Sequence, residues 1–230
     1  MDPSTIPEDG FNVTDYGPGV IPQALFSAEI GTFYMEFLKM SIIDRTPEEI
    51  AKLKNHAILK LDFKAPVHGF HGVRISMSVN YDLSSETSGG GNSHKPGIML
   101  VEPVQYDGTS FSSLCTAVIT LKQRITLGHI IRAITDNHLH HFYFCTVDEK
   151  YYGCRDFVTQ AIAQLVRYNY IYPDIGSHFP QQQPLPSNNL YQLLGHRFLT
   201  PGGTPSPCPV DKGWFRYYDR VFSDEMRYNA

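Results

Sequence analysis

Several things are scarce in this chain, and each absence excludes a class of protein. The four cysteines, Cys115, Cys145, Cys154 and Cys208, never fall at CxxC spacing. In a chain of 230 residues that argues against both a zinc finger and a disulfide scaffold. No cluster of Lys and Arg exists, and the net charge is -4, so neither a nucleic acid nor an anionic membrane surface is the expected partner. The start, MDPSTIPEDG, lacks the basic and apolar regions of a secretion signal. No apolar run approaches the ~20 residues of a membrane-spanning helix. The expected location is therefore the cytoplasm, with thiols reduced. GxGxxG, Walker and G-x-S-x-G patterns are missing, and Gly89-Gly90-Gly91 precedes no helical pattern. No cofactor is expected and no metal; Asn137-His138-Leu139-His140-His141 reads as a solvated histidine cluster at a helix end.

Aromatics are plentiful, with 14 Tyr and 14 Phe, and favour an aromatic-lined pocket. No Pro/Gly/Ser linker splits the chain. Residues 1–22 read as an irregular segment, and 23–230 as one α+β domain of catalytic type. Residues 23–43 are readable as strand or helix. Thr46-Pro47-Glu48-Glu49 is a capping box with proline at the first helical position, which opens a short helix to about Lys54. His56–Phe63 alternates as a strand, with His56, Ile58, Lys60 and Asp62 on one face and Ala57, Leu59, Leu61 and Phe63 on the other. Val73–Val79 alternates as its hairpin partner. Residues 82–96 read as a flexible loop. Further strands are expected at Gly97–Val101, Cys115–Arg124, Phe142–Cys145 and Trp214–Tyr218. Further helices are expected from Thr126 to Asn137, from Cys154 to Tyr168 and near Leu190–Gly195. Residues after Tyr170 read as irregular through Pro186. The expected fold is an antiparallel sheet packed against a long helix that begins at Cys154.

The chemistry centres on Tyr151-Tyr152-Gly153-Cys154-Arg155-Asp156-Phe157-Val158. A thiol in the first turn of a helix sits at the positive end of the macrodipole, which favours the reactive thiolate. Arg155 adds positive charge, and the first-turn amides can bind an oxyanion. Tyr151, Tyr152 and Phe157 are the expected pocket residues. A buried structural cysteine is the competing reading. A nucleophilic thiol needs a base, and His56 at the start of its strand is the candidate. Arg74, Ser76 or Ser78 on the neighbouring strand is the candidate orienting group.

These segments carry a resemblance. A strand opening Asn55-His56-Ala57-Ile58-Leu59 that precedes a helix opening Gly153-Cys154-Arg155-Asp156-Phe157-Val158 resembles the circularly permuted papain-like thiol enzymes of the lecithin–retinol acyltransferase and PPPDE peptidase types. Over roughly residues 20–220 the chain resembles more closely an uncharacterised fungal family of unknown function. That family has Asn-His opening a strand and Gly-Cys-Arg-x-Trp/Phe opening a helix, and its genes often lie beside those of secondary metabolism. The resemblance implies a permuted papain-like fold with Cys154 and His56 at the site.

Three functions compete. The first is a cysteine-dependent hydrolase or acyltransferase acting on a small-molecule ester, thioester or amide. The second is a cyclase or isomerase in which His56 acts without a covalent intermediate. The third is an inactive binding module. The reading favours an enzyme with a small-molecule substrate, and leaves a homodimer open.

Overall fold

Strand-forming alternation accounts for most of this structure, a computed structural model that describes residues 6–7, 9–40, 46–87, 93–147, 150–175 and 185–217. The strands are β1 (Phe11–Asn12), β2 (Ile30–Leu38), β3 (His56–Val67), β4 (Phe70–Val79), β5 (Glu86–Thr87), β6 (Ser93–Val104), β7 (Ser113–Leu121), β8 (Phe142–Val147), β9 (Lys150–Tyr152), β10 (Ile171–Ile175), β11 (His196–Arg197), β12 (Ser206–Pro207) and β13 (Trp214–Phe215). The helices are α1 (Val13–Tyr16), α2 (Gln23–Phe26), α3 (Pro47–Lys52), α4 (Leu127–Thr135), α5 (Cys154–Arg167) and α6 (Leu190–Leu194). One sheet runs in the order β10-β7-β2-β3-β4-β6-β8-β13 and curls into a half-barrel. Every pairing in it is antiparallel; β1 and β5 join β6, and β9 joins β8.

This corrects the expected fold class. Strand takes 42% of the described residues and helix 23%, the latter in six short pieces. It is not a sheet packed on one long Cys-bearing helix in the permuted papain-like manner. The reason is geometric. A helix of 14 residues is about 21 Å long, whereas eight strands span about 34 Å. One helix cannot cover that width. Ile130, Ile131 and Ile134 of α4, Leu190, Leu193 and Leu194 of α6, and Phe11, Val13 and Ile21 near the N-terminus complete the same core. The first 22 residues thus contain packed elements and not only irregular chain.

Local expectations fare better. Thr46 caps α3 through the Glu49 amide, and the Glu49 side chain returns to the Thr46 amide. Thr126 opens α4 with the same reciprocal arrangement, His129 standing where Glu or Gln is usual. Phe157, Val158, Ala161, Ile162 and Leu165 form the buried stripe of α5. Ala57, Leu59 and Leu61 face this core, while Lys60 and Asp62 lie on the other side of the sheet. Strand β6 starts inside the stretch read as a flexible loop, and β10 falls where irregular chain was expected. Pro173 fits β10 because that strand is an edge. Residues 88–92 and 176–184, parts of the stretches read as a flexible loop and as irregular chain, lie outside the described residues, as does Tyr218. Among the described residues no helix is long and apolar enough to cross a membrane.

Candidate active site

The ladder between β3 and β4 begins only at Leu59↔Ile75, although β4 continues to Val79. Toward His56 the two strands are no longer paired with each other. The first turn of α5 stands in this opening. The Ala57 amide and the His56 ring both lie close enough to the Cys154 sulfur to act on its charge. The two sequence-predicted residues, 98 positions apart, are therefore brought together.

Gly153 makes the approach. Its φ is +128°, a region that side chains rarely adopt. A Cβ there would lie 2.9 Å from the Phe142 ring and 3.0 Å from Gly213. The chain thus turns from β9 into α5 against bare backbone. Asp156 and Phe157 turn their amides back to the Gly153 carbonyl, at 2.8 and 3.2 Å. The amides of Cys154 and Arg155 precede that turn.

Electrostatics divide the cysteines. Burial pushes the Cys154 thiol up, but His56, the Ala57 amide and Arg155 together hold it below the ordinary thiol range. Burial pushes the His56 imidazole down, and the opposing thiolate more than reverses this, so His56 holds its proton above the usual histidine range. Each partner thus favours the charged form of the other. Cys145, nearby in β8, moves the other way: burial raises it, and Asp211 and Asp156 raise it further. Its thiol donates to the Lys212 carbonyl at 3.0 Å. Cys115 and Cys208 are buried, and none of the four cysteines is in a disulfide.

A cavity of about 590 Å³ opens on Cys154 and His56. Its floor includes Met40, Leu53, Met77 and Phe144; Tyr151 and Tyr152 form a wall. These two tyrosines occupy the places the sequence suggested. Phe157 does not: it is fully buried, 6.1 Å from the Phe142 ring, and belongs to the core. Lys54 bridges to Asp211 at 2.5 Å and lies 5.3 Å over the Tyr152 ring, closing one side.

The proposed orienting residues are elsewhere. Arg74 forms a two-toothed ion pair with Glu102 on β6, and its charge depresses the His56 imidazole. Ser76 does not line the cavity, though Ser78 does. Among the described residues no carboxylate, amide or hydroxyl hydrogen-bonds the His56 ring, so the site is a dyad. Arg155 sits beside the thiol but turns its guanidinium away. It donates to the carbonyls of Leu194, His196 and Cys208 at 2.8, 3.0 and 3.2 Å. It anchors the helix start and adds charge at a distance.

Two residues of structural importance were missed. Asn55 was noted only as the neighbour of His56. It is buried and spends its whole amide on backbone: Nδ2 donates to Leu38 and Phe198 carbonyls, and Oδ1 accepts from the Phe198 amide. It fixes the start of β3 and is not an oxyanion donor. Asp156, fully buried, accepts from the Gly213 amide at 2.9 Å and ties the C-terminal segment to the helix. Both partners are backbone groups, which leave no sequence pattern. Among the described residues no group of His, Cys, Asp or Glu is arranged to hold a metal ion.

No curated protein and no solved structure matches the chain. Residues 45–216, which contain both His56 and Cys154, match the family described as a domain of unknown function, DUF7770, and the chain belongs to that family.

Proposed function

We propose that the protein is a thiol-dependent hydrolase or acyltransferase acting on a small-molecule ester, thioester or amide. The observation that carries this is the Cys154–His56 pair, each favouring the charged form of the other, in the lining of an open cavity. A structural cysteine has no need of a lowered pKa and a histidine partner.

In this reading the Cys154 thiolate attacks the substrate carbonyl carbon and forms a C–S bond. The amides of Cys154 and Arg155 hold the oxyanion. Collapse breaks the bond to the leaving group, which takes the proton of the His56 imidazolium. Water, or an acceptor alcohol or amine, then gives a proton to His56 and attacks the thioester. The C–S bond breaks and the thiolate returns. A reducing compartment such as the cytosol suits a free thiol of this kind.

The test is alkylation by iodoacetamide, mapped at each cysteine as a function of pH. Cys154 should react first and remain reactive below the ordinary thiol range of ~8.5. His56→Gln should move its inflection upward. A Cys154 that reacts no faster than Cys145 sinks the proposal. If turnover of a substrate survives Cys154→Ser but not His56→Ala, the non-covalent cyclase or isomerase reading replaces it.

A further inference from the structure

The cavity wall carries information about what enters it. Every charge close to the thiol is already answered. Lys54 is paired with Asp211, Arg155 is turned onto carbonyls, and His56 faces Cys154. Two cations in this wall have no ion pair among the described residues: Lys150, exposed at the rim, and Arg155, whose guanidinium is turned onto carbonyls. The floor offers no partner for an anionic or cationic group.

The rim instead offers aromatic faces from separate segments. Tyr81, following β4, stands edge-to-face with Tyr151 of β9 at 6.0 Å, although Tyr81 is 75% exposed. Tyr152 is held by the Lys54 ammonium across its ring. Below them lie Phe144 and the thioethers of Met40 and Met77, groups that contact ring edges well. A volume of about 590 Å³ lies within the range of small-molecule sites and far exceeds an acetyl group.

We infer that the acyl group carried to Cys154 is neutral and aromatic, its ring held between Tyr81, Tyr151 and Tyr152 above the Met40–Met77–Phe144 floor. This rests on the thiol-enzyme reading. The substrate class is then an arylalkanoyl or aroyl ester or thioester, and straight-chain or acidic acyl groups are discriminated against.

The experiment uses three thioesters of N-acetylcysteamine, so that the leaving group is constant and not aromatic: 3-phenylpropanoyl, octanoyl and succinyl. Intact-mass measurement follows the acyl adduct on Cys154, with the N-acetylcysteamine thiolate leaving with the proton from His56. The phenylpropanoyl thioester should acylate on the order of tenfold faster than octanoyl, the size of one or two aromatic contacts. Succinyl should be slowest. Tyr151→Leu and Tyr152→Leu should bring the phenylpropanoyl-to-octanoyl ratio toward one. A ratio is insensitive to how much of a variant is folded. Octanoyl or succinyl reacting as fast as phenylpropanoyl overturns the aromatic class while leaving Cys154 as nucleophile. An unchanged ratio in both variants overturns the placement of the ring. If no thioester acylates Cys154, the thiol-enzyme reading falls and the substrate class with it.

Discussion

Strand β3 carries two charged sites, and they are built to opposite ends. At its first residue, His56 faces Cys154 across an unpaired gap in the sheet, beside an open cavity. Four residues on, Lys60 is fully buried on the face away from the helices. Lys60 pairs with Asp62 and lies between the rings of Tyr34 and Tyr106, at 5.4 and 5.1 Å. Asp62 also accepts from the Tyr34 hydroxyl and the Gly108 amide, each at 2.9 Å. Alongside, the Glu36 carboxylate takes the Ser110 amide and hydroxyl at 2.8 and 2.5 Å, and burial pushes its pKa up. Arg74 and Glu102 complete the cluster. The chain from Tyr106 to Ser110 closes over it. Here each charged group has its partners, and little is left to bind anything else. At His56 the ring has one partner among the described residues, the thiol, and it lines the open cavity. Saturation marks the first cluster as structural; the unspent valence of the second is what the proposed thiol chemistry would use.

This contrast can be broken by substitution. Lys60→Met should have the largest effect on stability, about 3 kcal/mol, because Asp62 is left buried without its cation. Urea denaturation measures it, and Cys154 alkylation in the remaining folded protein should keep its wild-type rate. A loss below ~1 kcal/mol, or a changed Cys154 rate, would join two sites that the fold keeps apart.

Gly153→Ala should cost less, about 2 kcal/mol, through a strained positive φ and the contact with Phe142 and Gly213. Unlike Lys60→Met, it should also slow Cys154 alkylation, since it displaces the first turn of α5. A variant with wild-type stability and reactivity would show that this turn does not depend on glycine.

The smallest effect lies at a third cluster, where His138, His140 and His141 pack on one another and His138 and His141 meet Tyr217. Burial, with His141 and His138 beside it, pushes His140 down from 6.5 to about 4. His141 is lowered too, by burial first, then by His138 and Arg216, with Asp15 opposing. Native His140 therefore stays neutral where the unfolded chain has taken a proton. The stability linked to it is present above pH 6.5 and is lost as pH falls through about 4. The fall in Tm between pH 7 and 4.5 should be smaller in His140→Phe than in the wild type. Equal falls would count against the linkage.

The sequence exposed the site better than the architecture around it. Cys154 was recognisable because a helix start announces itself through glycine, a following amphipathic stripe and the end of a strand pattern. His56 was recognisable because alternation fixes where a strand begins. Both signals are local. The long-range arrangement was hidden: nothing in His56–Phe63 or Val73–Val79 says that their ladder stops at Leu59↔Ile75 and leaves room for a thiol. The half-barrel was hidden for a related reason. Ser93–Val104 enters the sheet from a polar stretch, and Ile171–Ile175 contains a proline, so neither reads as strand until its neighbours are known. Arg74 and Phe157 were misplaced because a face of a strand or helix can be read from period, while what the face meets cannot.

The bonds that Arg155 and Asp156 make to the segment from Leu194 to Gly213 bear on how the protein is made. A chain leaving the ribosome presents Cys154 about forty residues before the carbonyl of Leu194 and almost sixty before the amide of Gly213. During that interval the first turn of α5 lacks these anchors, and the cavity lacks Asp211 from its lining. The setting of Cys154 is thus completed last, by a segment made after the helix that it holds in place.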